Sequence, residues 1–153
     1  MTDSDYFRSK GIQGIILDVD NTLISNTKET AGKEIFDWIF ELVGAGLKLC
    51  IVSNGKGKRV KKFNESFDLP MVFKAMKPAK RGYAKALEIL GTQREQTVGI
   101  GDQLFTDVWG ANRAGIKSLL VRPIDSHEQA TIKFKRLLEK PTIKKLKKKG
   151  MIS

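Results

Sequence analysis

The chain of 153 residues reads as one α/β domain, a parallel sheet sandwiched between two layers of helices. Two observations predict this. Short apolar runs that stop at acidic or polar residues alternate with segments of helical period. The composition, 41% hydrophobic and 29% charged, belongs to a globular domain. Strands separated by helices pair in parallel through crossovers, which puts helices on both faces of the sheet.

The elements follow in order. Gly14-Ile15-Ile16-Leu17 stops at Asp18 and has the continuous apolar character of a strand buried on both faces. Ala31, Ile35, Trp38, Ile39 and Leu42 share one face of a helix, which leads into a second strand, Leu47 to Val52. Met71-Val72-Phe73 is a shorter third strand. Tyr83, Ala86, Leu87 and Leu90 mark a helix ending at Gly91, and another ends at Gly115, since glycine tolerates the left-handed turn after a helix. Thr97 to Gly101 and Ser118 to Val121 complete the sheet. No repeat of solenoid spacing is present.

Composition excludes several classes. One cysteine rules out a disulfide framework and a thiolate zinc cluster, and one histidine (His127) disfavours His-pair metal sites and a Ser-His-Asp triad. The apolar stretch around residues 35–52 is cut by Asp37, Glu41 and Lys48, so it does not span a bilayer, and the first residues lack the apolar core of a secretory signal. These features predict a soluble, cytoplasmic protein. The net charge of +11 is concentrated at one end: residues 131–153 hold nine basic residues against the single acid Glu139. The expected organisation is a core over residues 1–130 followed by a basic C-terminal helix or tail over 131–153.

In an open parallel sheet, ligands bind where the carboxyl ends of the strands converge. Asp18-Val19-Asp20-Asn21-Thr22 follows the first strand, Ser53-Asn54 the second, and Gly101-Asp102, with Asp107 beyond, the fourth. Lys77-Pro78 precedes the helix that feeds the fourth strand. Several carboxylates, a hydroxyl and a lysine in one crevice, without histidine or thiolate, suit a hard cation, Mg²⁺ first, and a phosphoryl group. A carboxylate there can attack phosphorus while the ion and Lys77 neutralise the equatorial oxygens, and a second carboxylate can serve as general acid.

In order, Asp18-Val19-Asp20-Asn21-Thr22-Leu23, Ser53-Asn54, Lys77-Pro78 and Gly101-Asp102-Gln103-Leu104-Phe105-Thr106-Asp107 resemble the four motifs of the haloacid dehalogenase (HAD) superfamily of phosphatases, over roughly residues 12–123. The stretch from Gly101 to Gly115 is similar to subfamily IIIA proteins of the YqeG type, some of which are phosphatidylglycerophosphate phosphatases. The resemblance implies a Rossmann-like three-layer fold, Asp18 as nucleophile and Asp20 as general acid/base. It implies that Ser53 and Lys77 bind the transferred phosphoryl group. It further implies Mg²⁺ on Asp18, Asp102 and the backbone carbonyl of Asp20, with Asp107 orienting Lys77 or supporting the metal shell. Thr22 would hydrogen-bond near the nucleophile, and Asn54 would offer its backbone N–H to a phosphate oxygen.

Members of that superfamily commonly carry a cap domain between the first and second or the second and third motifs. Here 35 residues separate Asp18 from Ser53 and 24 separate Ser53 from Lys77, too few for a cap, so an open crevice is expected. It suits a phosphate on a bulky carrier. An oligomeric neighbour acting as a lid would instead admit a small substrate.

Other signals are weaker. Cys50 begins no C-x5-R motif because the sixth residue on is Lys56, and it reads as a core thiol. Asn54-Gly55-Lys56-Gly57-Lys58 lacks Walker A spacing and reads as a loop whose lysines rim the crevice. Trp38 and Trp109 read as core, and His127 as exposed. The receiver domains of response regulators share an acidic pocket, but their acceptor aspartate ends a middle strand, where this chain has Lys74 and Ala75.

The combined expectation is a Mg²⁺-dependent phosphomonoester hydrolase working through an aspartyl-phosphate, with phosphatidylglycerophosphate or a related lipid phosphate as first choice of substrate. Phosphatases of nucleotides or nucleic-acid ends, and a non-catalytic module binding RNA or another anionic partner, are the alternatives. Ile132, Phe134, Leu137 and Leu138 suit a last helix ended by Pro141. The basic residues beyond suit contact with the anionic inner face of the membrane, or second a nucleic-acid backbone.

Overall fold

The computed structural model describes residues 2–55 and 57–125, together with 140, 141 and 144. His127, Lys56 and the docking residues of the expected last helix lie outside the described residues. Five parallel strands form one sheet in the order β3-β2-β1-β4-β5, with β1 Gly14–Leu17, β2 Lys48–Val52, β3 Met71–Val72, β4 Thr97–Gly101 and β5 Lys117–Leu120. Helices α1 (Ser4–Ser9), α2 (Lys33–Gly44), α3 (Lys58–Asn64), α4 (Lys80–Leu90) and α5 (Trp109–Arg113) connect or flank them.

Alternation along the strands divides the core into two. Ile15, Leu17, Leu49, Ile51, Val98 and Ile100 face one side and pack with Phe7 of α1, Ile35, Trp38, Ile39 and Leu42 of α2, and Val60 and Phe63 of α3. Ile16, Cys50 and Val52 face the other and pack with Tyr83, Ala86 and Leu90 of α4 and Ala111 beside them. The three-layer α/β fold is therefore the one expected from the sequence. The gap between Asp18 and Ser53 holds a loop and α2, and that between Ser53 and Lys77 holds α3 and β3; neither holds a cap. Among the described residues no helix is long and apolar enough to cross a membrane.

Three local features differ from the expectations. The short helix α1 precedes the sheet: Asp3 caps it by accepting from the Tyr6 N–H at 2.8 Å, and Phe7 anchors it in the core. Strand β5 begins at Lys117 and β3 is only two residues long. Trp109 is not core. It stands 52% exposed at the start of α5, because that five-residue helix buries Gly110 and Ala111 and turns the indole outward under the Arg113 guanidinium, 5.3 Å from the ring. Trp38, by contrast, is buried, and its indole N–H donates to the Thr2 carbonyl.

The loop after β3 carries Lys77 into the crevice by a strained path. Lys74 and Met76 adopt left-handed backbone at φ 47° and 55°, a conformation costing roughly 1–3 kcal/mol each for residues with a Cβ. Buried Ala75 between them holds the path. Its N–H donates to the Ser53 carbonyl at 3.1 Å, and Gly82 of α4 lies so close that a Cβ there would stand 2.7 Å from the Ala75 Cβ. Gly82→Val is therefore expected to destabilise the protein by about 1–3 kcal/mol and to move Lys77. Denaturant unfolding checks the first effect, and a crystal structure of the variant, read for the position of the Lys77 ammonium, checks the second.

Candidate active site

The strand order reverses between β1 and β4, so these two neighbours send their following loops to opposite sides and open a crevice at their carboxyl ends. Asp18 follows β1, its N–H extending the ladder to the Ile100 carbonyl at 2.9 Å, and Asp102 follows β4. Asp107 returns to the same place from a π-helical turn over Leu104–Val108, where Tyr83 of α4 donates its hydroxyl to the carbonyls of Asp107 and Thr106. Gly101 permits this approach, because a Cβ there would overlap the Asp107 carboxylate.

Lys77 sits at the centre. Its buried ammonium donates to Asp18 Oδ1 and to Asp107 Oδ1, each at 2.6 Å. The second Asp107 oxygen accepts from the Gln103 N–H at 3.0 Å. Asn54 clamps the main chain of Lys77, its side-chain oxygen accepting from the Lys77 N–H at 2.6 Å and its amide donating to the Lys77 carbonyl at 3.1 Å. The side chain of Asn54 thus positions the lysine, a contact that the sequence reading, which considered only its backbone N–H, did not anticipate. Ser53 is fully buried at the end of β2, and its hydroxyl accepts from the Gly55 N–H.

Thr22 lies between Asp18 Oδ2 and Asp102 Oδ1, 2.9 Å from each. A hydroxyl has one proton to give, so two ionised carboxylates cannot both be satisfied by it. The charge balance agrees. Burial, reinforced by the fields of Asp107 and Asp102 and opposed by Lys77, raises Asp18 to about 7. Burial alone would lower Lys77, but Asp107 and Asp18 outweigh it, and the lysine is held above its ordinary value. One ammonium shared by two carboxylates, with a third across the threonine, leaves negative charge to be discharged. A proton on Asp18 does so, and so does a divalent cation. Asp18, Asp102 and Asp107 can each offer an oxygen within 4.8 Å of the others, a donor set of hard oxygens that fits such an ion.

Asp20 stands apart from these three carboxylates. Its carboxylate, half-buried, pairs with Arg59 of α3, a residue that the sequence reading did not single out. Asn21 turns the chain there at φ 64° and fastens it to Asp125, accepting from that residue's N–H at 2.7 Å and donating to its carbonyl at 3.0 Å. Lys58, expected at the rim, is exposed. Cys50 is buried within β2, and desolvation pushes its thiol up to about 12, so it is inert core.

The chain is similar to several known proteins. Residues 75–142 match the HAD-hydrolase-like family model. Solved structures share the fold: CbbY from Rhodobacter sphaeroides, in complex with phosphate, superposes with a TM-score of 0.63 at 17% identity, covering 77% of this chain and 90% of that one. NagD from E. coli K-12 superposes with a TM-score of 0.61 at 14% identity, covering 75% and 90%. These likenesses show the fold. Over 145 residues the chain is 37% identical to the probable phosphatase YqeG of Bacillus subtilis, covering 95% of this chain and 84% of that one. It is 28% identical to the human phospholysine phosphohistidine inorganic pyrophosphate phosphatase over 123 residues, covering 69% of this chain and 46% of that one. The chain belongs to the YqeG-type phosphatases of the HAD superfamily.

The raised Asp18 carries a pH signature with a definite sign. Its folded value, about 7, lies above the ordinary 3.8, so its protonation stabilises the fold below that ordinary value and the contribution is lost as pH rises towards about 7. Chelator-treated protein is expected to melt lower at about pH 8 than at about pH 5.5, by several degrees if roughly 1–2 kcal/mol is lost. Added divalent cation should recover more stability at the higher pH. Thermal melts at both values, with Asp18→Asn as the variant that flattens the difference, check this.

Proposed function

We propose that the protein is a Mg²⁺-dependent phosphomonoesterase working through an aspartyl-phosphate on Asp18. The observation that carries the reading is the convergence of Asp18, Lys77, Asp102 and Asp107 at the switch point of the sheet, with Ser53 at the end of the neighbouring strand. Asp18, Asp102 and the Asp20 carbonyl would hold Mg²⁺, with Asp107 supporting Lys77. An ion held there would supply charge neutralisation at the phosphoryl oxygens and would favour the ionised form of Asp18.

In the first half-reaction an Asp18 carboxylate oxygen attacks phosphorus, the ester bond breaks, and Asp20 gives its proton to the departing alkoxide. Lys77 neutralises the equatorial oxygens, and the Ser53 hydroxyl binds one of them. In the second, Asp20, now ionised, takes a proton from water as that water attacks phosphorus. The bond to Asp18 breaks and inorganic phosphate leaves. Thr22 holds the nucleophile in place throughout.

As substrate we propose a phosphate on a bulky carrier, phosphatidylglycerophosphate or a related lipid phosphate. The capless frame supports this, since neither intermotif segment forms a roof that would exclude a headgroup at a bilayer surface. The basic C-terminal residues, with lysines dominating positions 140–149, would add attraction to an anionic leaflet. A binding module would have no need of the buried Lys77–Asp18–Asp107 arrangement, which costs desolvation of three charges.

Asp18→Asn is expected to fold and to lose activity by a factor of at least about 10³. The measurement is Mg²⁺-dependent phosphate release from phosphatidylglycerophosphate in anionic vesicles, run beside nucleotides and phosphorylated oligonucleotides. Near-normal release by Asp18→Asn would sink the mechanism. Preference for the nucleotides or oligonucleotides would keep the mechanism and overturn the lipid assignment.

A further inference from the structure

Arg59 is built into the crevice from a different element than any of the motif residues. It lies in the first turn of α3, whose Val60 and Phe63 are buried in the core, so the base of its side chain is fixed. One guanidinium nitrogen, Nη1, donates to the carbonyls of Ser25 and Lys28 at 2.7 and 3.0 Å. Both protons on that nitrogen are thereby used, and the planar fork then fixes where the other nitrogen points. Nη2 points at Asp20 and pairs with its Oδ1.

The other oxygen of Asp20 is placed by the same contact. A Cβ built on Gly55 would lie 3.2 Å from the Ser53 hydroxyl and 3.5 Å from Asp20 Oδ2. Asp20 Oδ2 and the Ser53 hydroxyl therefore border the same small space over Gly55, while Oδ1 is taken by the arginine. A carboxylate side chain free to rotate about χ1 and χ2 would leave that space in other rotamers. Anchored, it keeps Oδ2 towards the space that it borders with the Ser53 hydroxyl.

We propose that Arg59 is the positioning residue for the proton donor: through its carbonyl-anchored fork it holds Asp20 with Oδ2 turned to the leaving oxygen. The proposal rests on the reading of Asp20 as general acid. It makes Arg59 matter in proportion to how much the leaving group needs a proton. An alkyl phosphate, whose alcohol has a pKa of ~15, depends on the donor; p-nitrophenyl phosphate, with a leaving group near ~7, depends on it little.

The test is steady-state turnover of butyl phosphate and p-nitrophenyl phosphate with Mg²⁺ by the full chain. Arg59→Ala is expected to lower kcat for butyl phosphate about 10²-fold and for p-nitrophenyl phosphate less than about 5-fold, with KM little changed. Arg59→Lys, which keeps the charge and the stem but not the fork, should show the same selectivity of loss and serves if Arg59→Ala folds poorly. Combined with Asp20→Asn, either change should add almost nothing, because both remove one function. Equal losses on the two substrates, a change confined to KM, or losses that multiply with Asp20→Asn would overturn the proposal. Failure of the wild-type protein to release phosphate from either substrate would instead bring down the phosphatase reading beneath it.

Discussion

One buried ammonium shared by two carboxylates organises this molecule. Lys77 reaches Asp18 and Asp107 at the same 2.6 Å, and all three groups are nearly shut off from water. Neither carboxylate has the lysine to itself, and Asp102 adds its field to Asp18 from across Thr22. Pairs of this kind are poor sources of stability, because desolvating the charges offsets most of their attraction. What the arrangement supplies is an unfinished charge balance. It keeps Asp18, the nucleophile we propose, poised between a protonated and an ionised form and leaves a cluster of hard oxygens that a divalent cation could complete.

The rest of the fold serves that balance. The reversal of strand order between β1 and β4 brings Asp18 and Asp102 side by side. Close approach at two glycines does the remainder: Gly101 admits the Asp107 carboxylate, and Gly82 lets α4 press on Ala75, so that the strained loop delivers Lys77. Asn54 then fixes the lysine's main chain through two hydrogen bonds. Rigidity around the lysine is what allows opposed charges to be held without collapsing into a single ion pair.

How much of this was legible in the sequence differs by element. Most strands were legible because they are apolar runs ending in a polar residue, and the convergence of Asp18, Ser53 and Asp102 was legible because each directly follows a strand. Thr22, Lys77 and Asp107 stand several residues beyond one and were picked out by the resemblance of their motifs. Helix α1 was not, since six residues with one buried aromatic, Phe7, leave no periodic signal; only the Asp3 cap could have hinted at it. Trp109 sits at a helical position, but in a helix too short for its period to say which face is buried. Arg59 was hidden for another reason. It is one of many basic residues in a lysine-rich segment, and only the three-dimensional course of the loop over residues 25–28 distinguishes it from its neighbours.

The charge around Lys77 can be balanced either by a proton on Asp18 or by a divalent cation, the one displacing the other. Calorimetric titration of the protein with Mg²⁺, repeated in buffers of different ionisation enthalpy, counts the protons released on binding. With Asp18 near 7, close to one proton should be released per ion at about pH 6 and almost none at about pH 8.5. Binding with no proton release at either pH would contradict the claim.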